Sequence, residues 1–226
     1  MHVYSNSAIT LDGRIASVAV EQPSFGSRHD LRYLSVLRAR ADAVLVGGRT
    51  FRNWPKPLVP HAASIAALRR DGFPDTEHPP LEGRQWWNIV LSRTLDVPRS
   101  GPFYEDLRVR PLFFAEDPAG EAPPGAEVEI GSVTVPGVLR ALAARGVERL
   151  LVEAGGELLY AFLAADALDE MYVTICPVLY GGQTAPGLVG GRGFTPEEAR
   201  RLRLLHLNRF GDELFCRYEV RRTTPE

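Results

Sequence analysis

The chain switches repeatedly between two hydrophobic periods, and the switches outline its elements. Residues 2–9 alternate as a first strand and run into Thr10-Leu-Asp-Gly-Arg-Ile-Ala16, where Asp12-Gly13 marks a turn. Leu31, Leu34 and Val36 or Leu37 recur at helical spacing and predict a helix over 30–40. Residues 43–48, Ala-Val-Leu-Val-Gly-Gly, are continuously apolar, as in a strand buried on both faces of a parallel sheet. Strands follow at 87–92, 110–115 and 127–130, then a helix at 135–145. A short apolar strand at 150–153 then leads through Gly155-Gly156 into a helix with Leu158, Leu159, Phe162 and Leu163 on its apolar face.

The proline-rich run 55–85, with a short helix near 61–70, reads as a surface excursion, because apolar strands resume beyond it. The tail changes character. Residues 170–177, 203–209 and 213–221 read as β and predict antiparallel strands that close the sheet. Together these patterns predict one α/β domain over 1–226. It has three layers and a mixed, mostly parallel sheet with antiparallel C-terminal strands.

Composition narrows the function classes. The 226 residues are 45% hydrophobic and 24% charged, as in soluble globular chains, and the formal net charge is −2. That charge argues against a nucleic-acid or anionic-membrane binder, which needs a basic field. Lys56 is the only lysine, so the remaining basic charge is arginine. Cys176 and Cys216 lie in strand-like apolar contexts outside any zinc-site spacing and read as buried thiols. The N-terminal run lacks the basic patch and apolar stretch of a signal peptide, and the reading is a soluble, cytoplasmic protein.

Three apolar strands end in small or polar residues: Gly47-Gly48-Arg49-Thr50, Leu91-Ser92-Arg93-Thr94 and Gly155-Gly156-Glu157. If the strands are parallel neighbours, these ends form one crevice along a sheet edge. A strand that stops at glycines and restarts as a helix presents bare backbone N–H groups and a positive dipole end to an anion. Gly48, Gly155 and Gly156 would suit a pyrophosphate. Arg49 or Arg93, with the Thr50, Ser92 and Thr94 hydroxyls, would suit a terminal phosphate such as the 2′-phosphate of NADPH. Glu153 closes its strand where open α/β sheets meet ligands. The Gly-x-Gly-x-x-Gly fingerprint, the Gly-x-x-x-x-Gly-Lys-Ser/Thr loop and the Gly-x-Ser-x-Gly elbow are all missing from the sequence. A hydride-carrying cofactor therefore becomes the attractive reading.

The segments Ser5-Asn-Ser-Ala-Ile-Thr-Leu-Asp-Gly-Arg14, Val44-Leu-Val-Gly-Gly-Arg-Thr50, Leu151-Val-Glu-Ala-Gly-Gly156 and Pro177-Val-Leu-Tyr-Gly-Gly-Gln-Thr-Ala-Pro186 occur in one order. With them the chain resembles the reductase domain of riboflavin biosynthesis, a relative of dihydrofolate reductase, and most closely its stand-alone archaeal and fungal type. The resemblance covers nearly the whole chain. It implies a dihydrofolate reductase-like fold, a homodimer, and NADPH-dependent reduction of a ribosylaminopyrimidine 5′-phosphate to its ribitylamino form. It also implies that Thr50, Leu91 to Thr94 and Gly155 to Glu157 line the cofactor groove, and that Asn6 and Glu153 face the substrate. Asp12-Gly13 would lie over the nicotinamide, and Arg28 and Arg32 would offer charge to the substrate phosphate. Glu153 is open to two roles, a proton donor or a substrate-orienting carboxylate.

One segment departs from the resemblance. Where the family carries Asp-Asp-Pro, this chain has Arg52-Asn-Trp-Pro-Lys-Pro57, without a carboxylate. Two alternatives follow: a same-fold reductase of dihydrofolate or another pterin-like substrate, for which Asp30 is the nearby carboxylate, and a non-catalytic nucleotide-binding module. The zinc deaminase signatures of bifunctional relatives do not occur in the sequence.

Overall fold

The computed structural model describes residues 1–19, 25–131 and 133–222. In chain order the elements are β1 (His2–Thr10), α1 (Arg28–Arg40), β2 (Ala43–Gly47), α2 (Gly48–Asn53), α3 (Ala62–Arg70), β3 (Trp86–Leu91), α4 (Pro102–Glu105) and β4 (Val109–Ala115). They continue with β5 (Glu127–Ile130), α5 (Val135–Ala144), β6 (Arg149–Glu153), α6 (Gly156–Ala164), β7 (Glu170–Cys176), β8 (Leu202–Phe210) and β9 (Glu213–Val220). The nine strands form one sheet in the order β5-β4-β3-β2-β6-β1-β7-β9-β8. Pairing is parallel from β5 to β7, and β9 and β8 then add antiparallel, as the β-rich tail predicts.

Period-two alternation explains the three layers. In β2, Val44 and Val46 enter the core under α1 and α3, while Ala43 and Leu45 enter the core under α5 and α6. Covered on both faces, the strand tolerates no polar side chain. Helix α1 starts earlier than its apolar period suggests, because the Ser27 hydroxyl caps it by accepting from the His29 and Asp30 amides at 3.0 and 3.4 Å. The run 48–53, to which the sequence pattern assigned no element beyond the strand end at Gly47-Gly48, is the short helix α2.

The 55–85 excursion is not superficial throughout. Leu58, Val59, Ile65, Leu68 and Phe73 are buried in the α1-side core. Asn88, fully buried in β3, grips this segment: its Oδ1 accepts from the Leu58 amide at 2.7 Å and its Nδ2 donates to the Leu58 carbonyl at 3.2 Å. The outer end is tied to α1 by Asp71 to Arg32 (3.0 Å) and Asp75 to Arg40 (2.6 Å). The prolines and charges gave the segment a loop-like reading, while its scattered apolar residues found partners only once α1 and the sheet were folded.

Candidate active site

The carboxyl ends of β3, β2 and β6 lie side by side. Gly47 pairs with Leu91, and Val46 pairs with Glu153, so the three predicted segments share one sheet edge. Chain order reverses here: β2 to β5 progress outward one way, while β6 returns to insert between β2 and β1. Such a reversal leaves a gap between crossovers on opposite faces, and ligands of open α/β sheets bind in it. On the α1 face, Glu153 has Val46 on one side. Continuing the Ser5–Val152 register by one residue places Asn6 on the other. Asn6 is half-buried and spends no side-chain hydrogen bond among the described residues.

The glycines divide into two kinds. A Cβ on Gly48 would come within 3.0 Å of Ser92 Cβ, and one on Gly156 would lie 2.9 Å from both the Gly187 carbonyl and the Gly190 amide nitrogen. These two permit close packing of chain on chain. Gly155, the cap of α6, has nothing within 4 Å of a Cβ position and is the glycine open to a ligand. Glu157 turns back to hold the neighbouring loop, its Oε1 accepting from the Gly191 amide at 3.0 Å.

At the end of β3, Ser92 and Thr94 flank an exposed Arg93 whose carbonyl accepts from the Glu116 and Asp117 amides at 3.0 and 2.9 Å. This turn is therefore fixed by the chain after β4. Arg49 and Arg93 are both exposed, and neither guanidinium has a hydrogen-bond or ion-pair partner among the described residues. Thr50 stands beside Arg49 on α2.

Across the crevice, Asp12 ties two loops together. It accepts from the Thr10 hydroxyl (2.6 Å) and from the Tyr180 and Gly181 amides (3.2 and 2.7 Å). The Thr10 hydroxyl, aided by these amides and opposed by desolvation, holds its carboxyl down at about 2. Arg28 and Arg32 do not enter the crevice group: Arg32 pairs with Asp71, and Arg28 is exposed on the same first turn of α1.

The RibD C-terminal domain family matches residues 1–216. The chain belongs to that family. It is 27% identical over 223 residues to the 2,5-diamino-6-ribosylamino-4(3H)-pyrimidinone 5′-phosphate reductase of Archaeoglobus fulgidus, covering 93% of this chain and 94% of the relative. It is 29% identical over 232 residues to the enzyme of the same name from Methanothermobacter thermautotrophicus, covering 97% and 98%. Among solved structures, Acinetobacter baumannii RibD superposes with a TM-score of 0.75 at 20% identity, covering 98% of this chain and 58% of that one. Dihydrofolate reductase from Enterococcus faecalis, complexed with NADP(H), superposes with a TM-score of 0.50 at 14% identity, covering 97% and 96%. The fold is dihydrofolate reductase-like.

This RibD-family member also brings in residues that the linear pattern does not mark. Arg38, from α1, forms a two-bond ion pair with Glu153, Nε to Oε1 and Nη2 to Oε2, both 2.7 Å. Glu213 is buried where α1 begins, beside Asp30, the carboxylate that the sequence offered for a dihydrofolate-type site and to which Thr174 is hydrogen-bonded. Gly187–Gly191 packs on the first turn of α6. Arg38 lies 115 positions from Glu153, and only the helix-on-sheet layer joins them. No helix among the described residues is long and apolar enough to cross a membrane.

Proposed function

We propose that this chain is a cytoplasmic, NADPH-dependent oxidoreductase that reduces a ribosylaminopyrimidine 5′-phosphate to its ribitylamino form in riboflavin biosynthesis. The observation that carries the reading is the level row Leu91, Gly47, Val46 and Glu153 at one sheet edge, with open Gly155 at the head of α6. The names of the full-length relatives favour this substrate over dihydrofolate and over a non-catalytic module.

The residues present fit the cofactor. Gly155 leaves room for a pyrophosphate to approach backbone N–H groups, and the unpartnered Arg49 and Arg93 offer planar donors for a 2′-phosphate. Gly48 and Gly156 shape the walls of the groove, Thr50, Leu91, Ser92 and Thr94 line it, and Glu157 holds the 190–191 loop against it. Bound there, NADPH would supply the hydride for C1′ of the ring-opened imine form of the substrate, whose nitrogen would take up one proton.

The protein's part is to hold the sugar. Asn6 and Glu153 offer an amide and a carboxylate side by side, suited to hydroxyl groups. Orientation of this kind can account for several powers of ten in rate. Asp12 would hold the loop over the nicotinamide, while Arg32, paired with Asp71, and the exposed Arg28 are not assigned to the substrate phosphate. We further assign a homodimer through the edge strand β8, where Leu202, Leu204 and Leu207 are 44%, 49% and 53% exposed.

The deciding assay follows NADPH oxidation with the 2,5-diamino and the deaminated ribosylamino pyrimidine phosphates supplied separately. Turnover of either supports the reading and places the reaction before or after deamination. Binding of NADPH with silence towards both, and turnover of dihydrofolate, would overturn it.

A further inference from the structure

We propose that Arg38 is a positioning residue for this reaction. It fixes the Glu153 carboxylate as a hydrogen-bond acceptor in the crevice, so that Glu153 orients a substrate hydroxyl and donates no proton. The inference deepens the proposed reduction and rests on that reading for the substrate's identity.

The pairing is specific in shape. Nε and Nη2 of Arg38 each donate to a different oxygen of Glu153 at 2.7 Å, the parallel arrangement in which a guanidinium and a carboxylate match as planar forks. The two side chains are 13% and 14% exposed, so solvent competes little with the pair. A lysine could supply the charge but not the two bonds.

Both ends are anchored independently of the pair. The Arg38 carbonyl accepts from Trp86 Nε1 at 3.0 Å, and the preceding Leu37 carbonyl accepts from the Tyr4 hydroxyl at 2.8 Å. Side chains of β3 and β1 thus hold the α1 turn that carries the guanidinium. Glu153 is held by its ladder with Val46. With both backbones fixed, the paired guanidinium determines the plane of the carboxylate.

Each Glu153 oxygen keeps a lone pair after accepting from Arg38. Arg38 Nη1 has no protein hydrogen bond among the described residues, and neither does the Asn6 amide. The crevice therefore offers carboxylate lone pairs, a guanidinium N–H group and a carboxamide beside one another. That set suits a neutral polyhydroxylated chain. Matched to the guanidinium through both oxygens, the carboxylate is held as an acceptor, and the proton taken up by the product nitrogen is assigned to solvent.

The test uses full-length protein with Arg38→Gln, Arg38→Lys, Glu153→Gln and the double variant R38Q/E153Q, each checked for folding by thermal melting. Arg38→Gln is expected to lower kcat/KM about 100-fold, the scale of losing one oriented contact. Its NADPH Kd should stay within about twofold of the wild type, far below the tenfold that 1.4 kcal/mol would produce. Arg38→Lys should recover only part of the activity, and the double variant should be no slower than the slower single one, because the pair acts as a unit. A crystal structure of Arg38→Gln should show the Glu153 side chain displaced. A loss accounted for by unfolded protein, additive single effects, or an unmoved Glu153 would each overturn the inference. Should the wild type reduce neither pyrimidine, the proposed function falls, and the position of Glu153 in the Arg38→Gln crystal structure decides the role of Arg38 alone.

Discussion

Glu213 of β9 accepts from both the backbone amide and the hydroxyl of Ser27, each at 2.6 Å, and so fastens the C-terminal hairpin to the first turn of α1. Asp30 lies buried in that turn, where desolvation, with a further push from the Glu213 charge and against the Thr174 hydrogen bond, raises its carboxyl to about 6. An unfolded aspartate titrates near about 3.9. Between about pH 4 and 6 the folded chain therefore binds more protons than the unfolded one, and stability falls as pH rises through that window. The rise corresponds to about 3 kcal/mol of destabilisation, absent below the window and in full force above it. Urea unfolding of wild type and Asp30→Asn from pH 4 to 8 should show the variant gaining on the wild type by that amount. Parallel curves would rule out this role for Asp30.

The two glycines before α6 should separate cleanly on substitution. Gly155→Ala meets no atom within 4 Å and has an ordinary φ of −72°, so stability should fall by no more than about 0.5–1 kcal/mol, the cost of alanine at a helix N-cap. The added methyl instead occupies the anion approach, and the KM for NADPH should rise by about tenfold or more, equivalent to about 1.4 kcal/mol. Gly156→Ala places Cβ at 2.9 Å from backbone atoms of Gly187 and Gly190, which must give way, at a cost of about 1–3 kcal/mol. Chemical denaturation and steady-state kinetics on both variants check this, and equal behaviour would contradict it.

Removing the Asp12 carboxylate should loosen two loops together. Asp12→Ala frees the Tyr180 and Gly181 amides that it accepts from across 168 and 169 positions. Hydrogen exchange at these amides should accelerate at least about tenfold, as expected when a local closed state loses about 1.4 kcal/mol. In the proposed site kcat/KM should fall with it. Unchanged exchange would leave Asp12 as a turn residue only.

Strand β8 pairs with β9 on one side and forms the edge of the sheet on the other. Replacing Leu204 and Leu207 by arginine puts charge on that apolar edge without touching the crevice. Light scattering behind size exclusion should then report a monomer where the wild type is a dimer. A wild-type monomer, or an unaffected dimer, would move the interface elsewhere.

Much of the architecture is local enough to be read from the chain. Val44, Leu45 and Val46 mark a doubly buried strand because a covered strand has no solvent face to pattern, and Gly155 before Leu158 and Leu159 marks a strand-to-helix break. The shared edge of Gly47, Leu91 and Glu153 followed from three strand ends of similar chemistry once parallel pairing was assumed, and the sheet supplies that pairing. Pairings across layers had no such signal. Arg38 looked like any charge on a helix, Arg32 like a phosphate contact, and Leu58 and Phe73 like loop residues.

The sequence by itself thus determined the order of the strands and of the longer helices, the mixed sheet, the glycine-ended strands and the family. These depend on period, turn chemistry and short motifs that act over a few residues. Only the tertiary structure decided that Arg38 claims Glu153, that Asp71 claims Arg32, that Glu213 sits on the α1 cap, and that Gly48 and Gly156 serve packing while Gly155 stays open. Each of these is a contact between chain segments whose separation in sequence carries no energy. Packing α1 and the loops onto the sheet brings them within bonding distance.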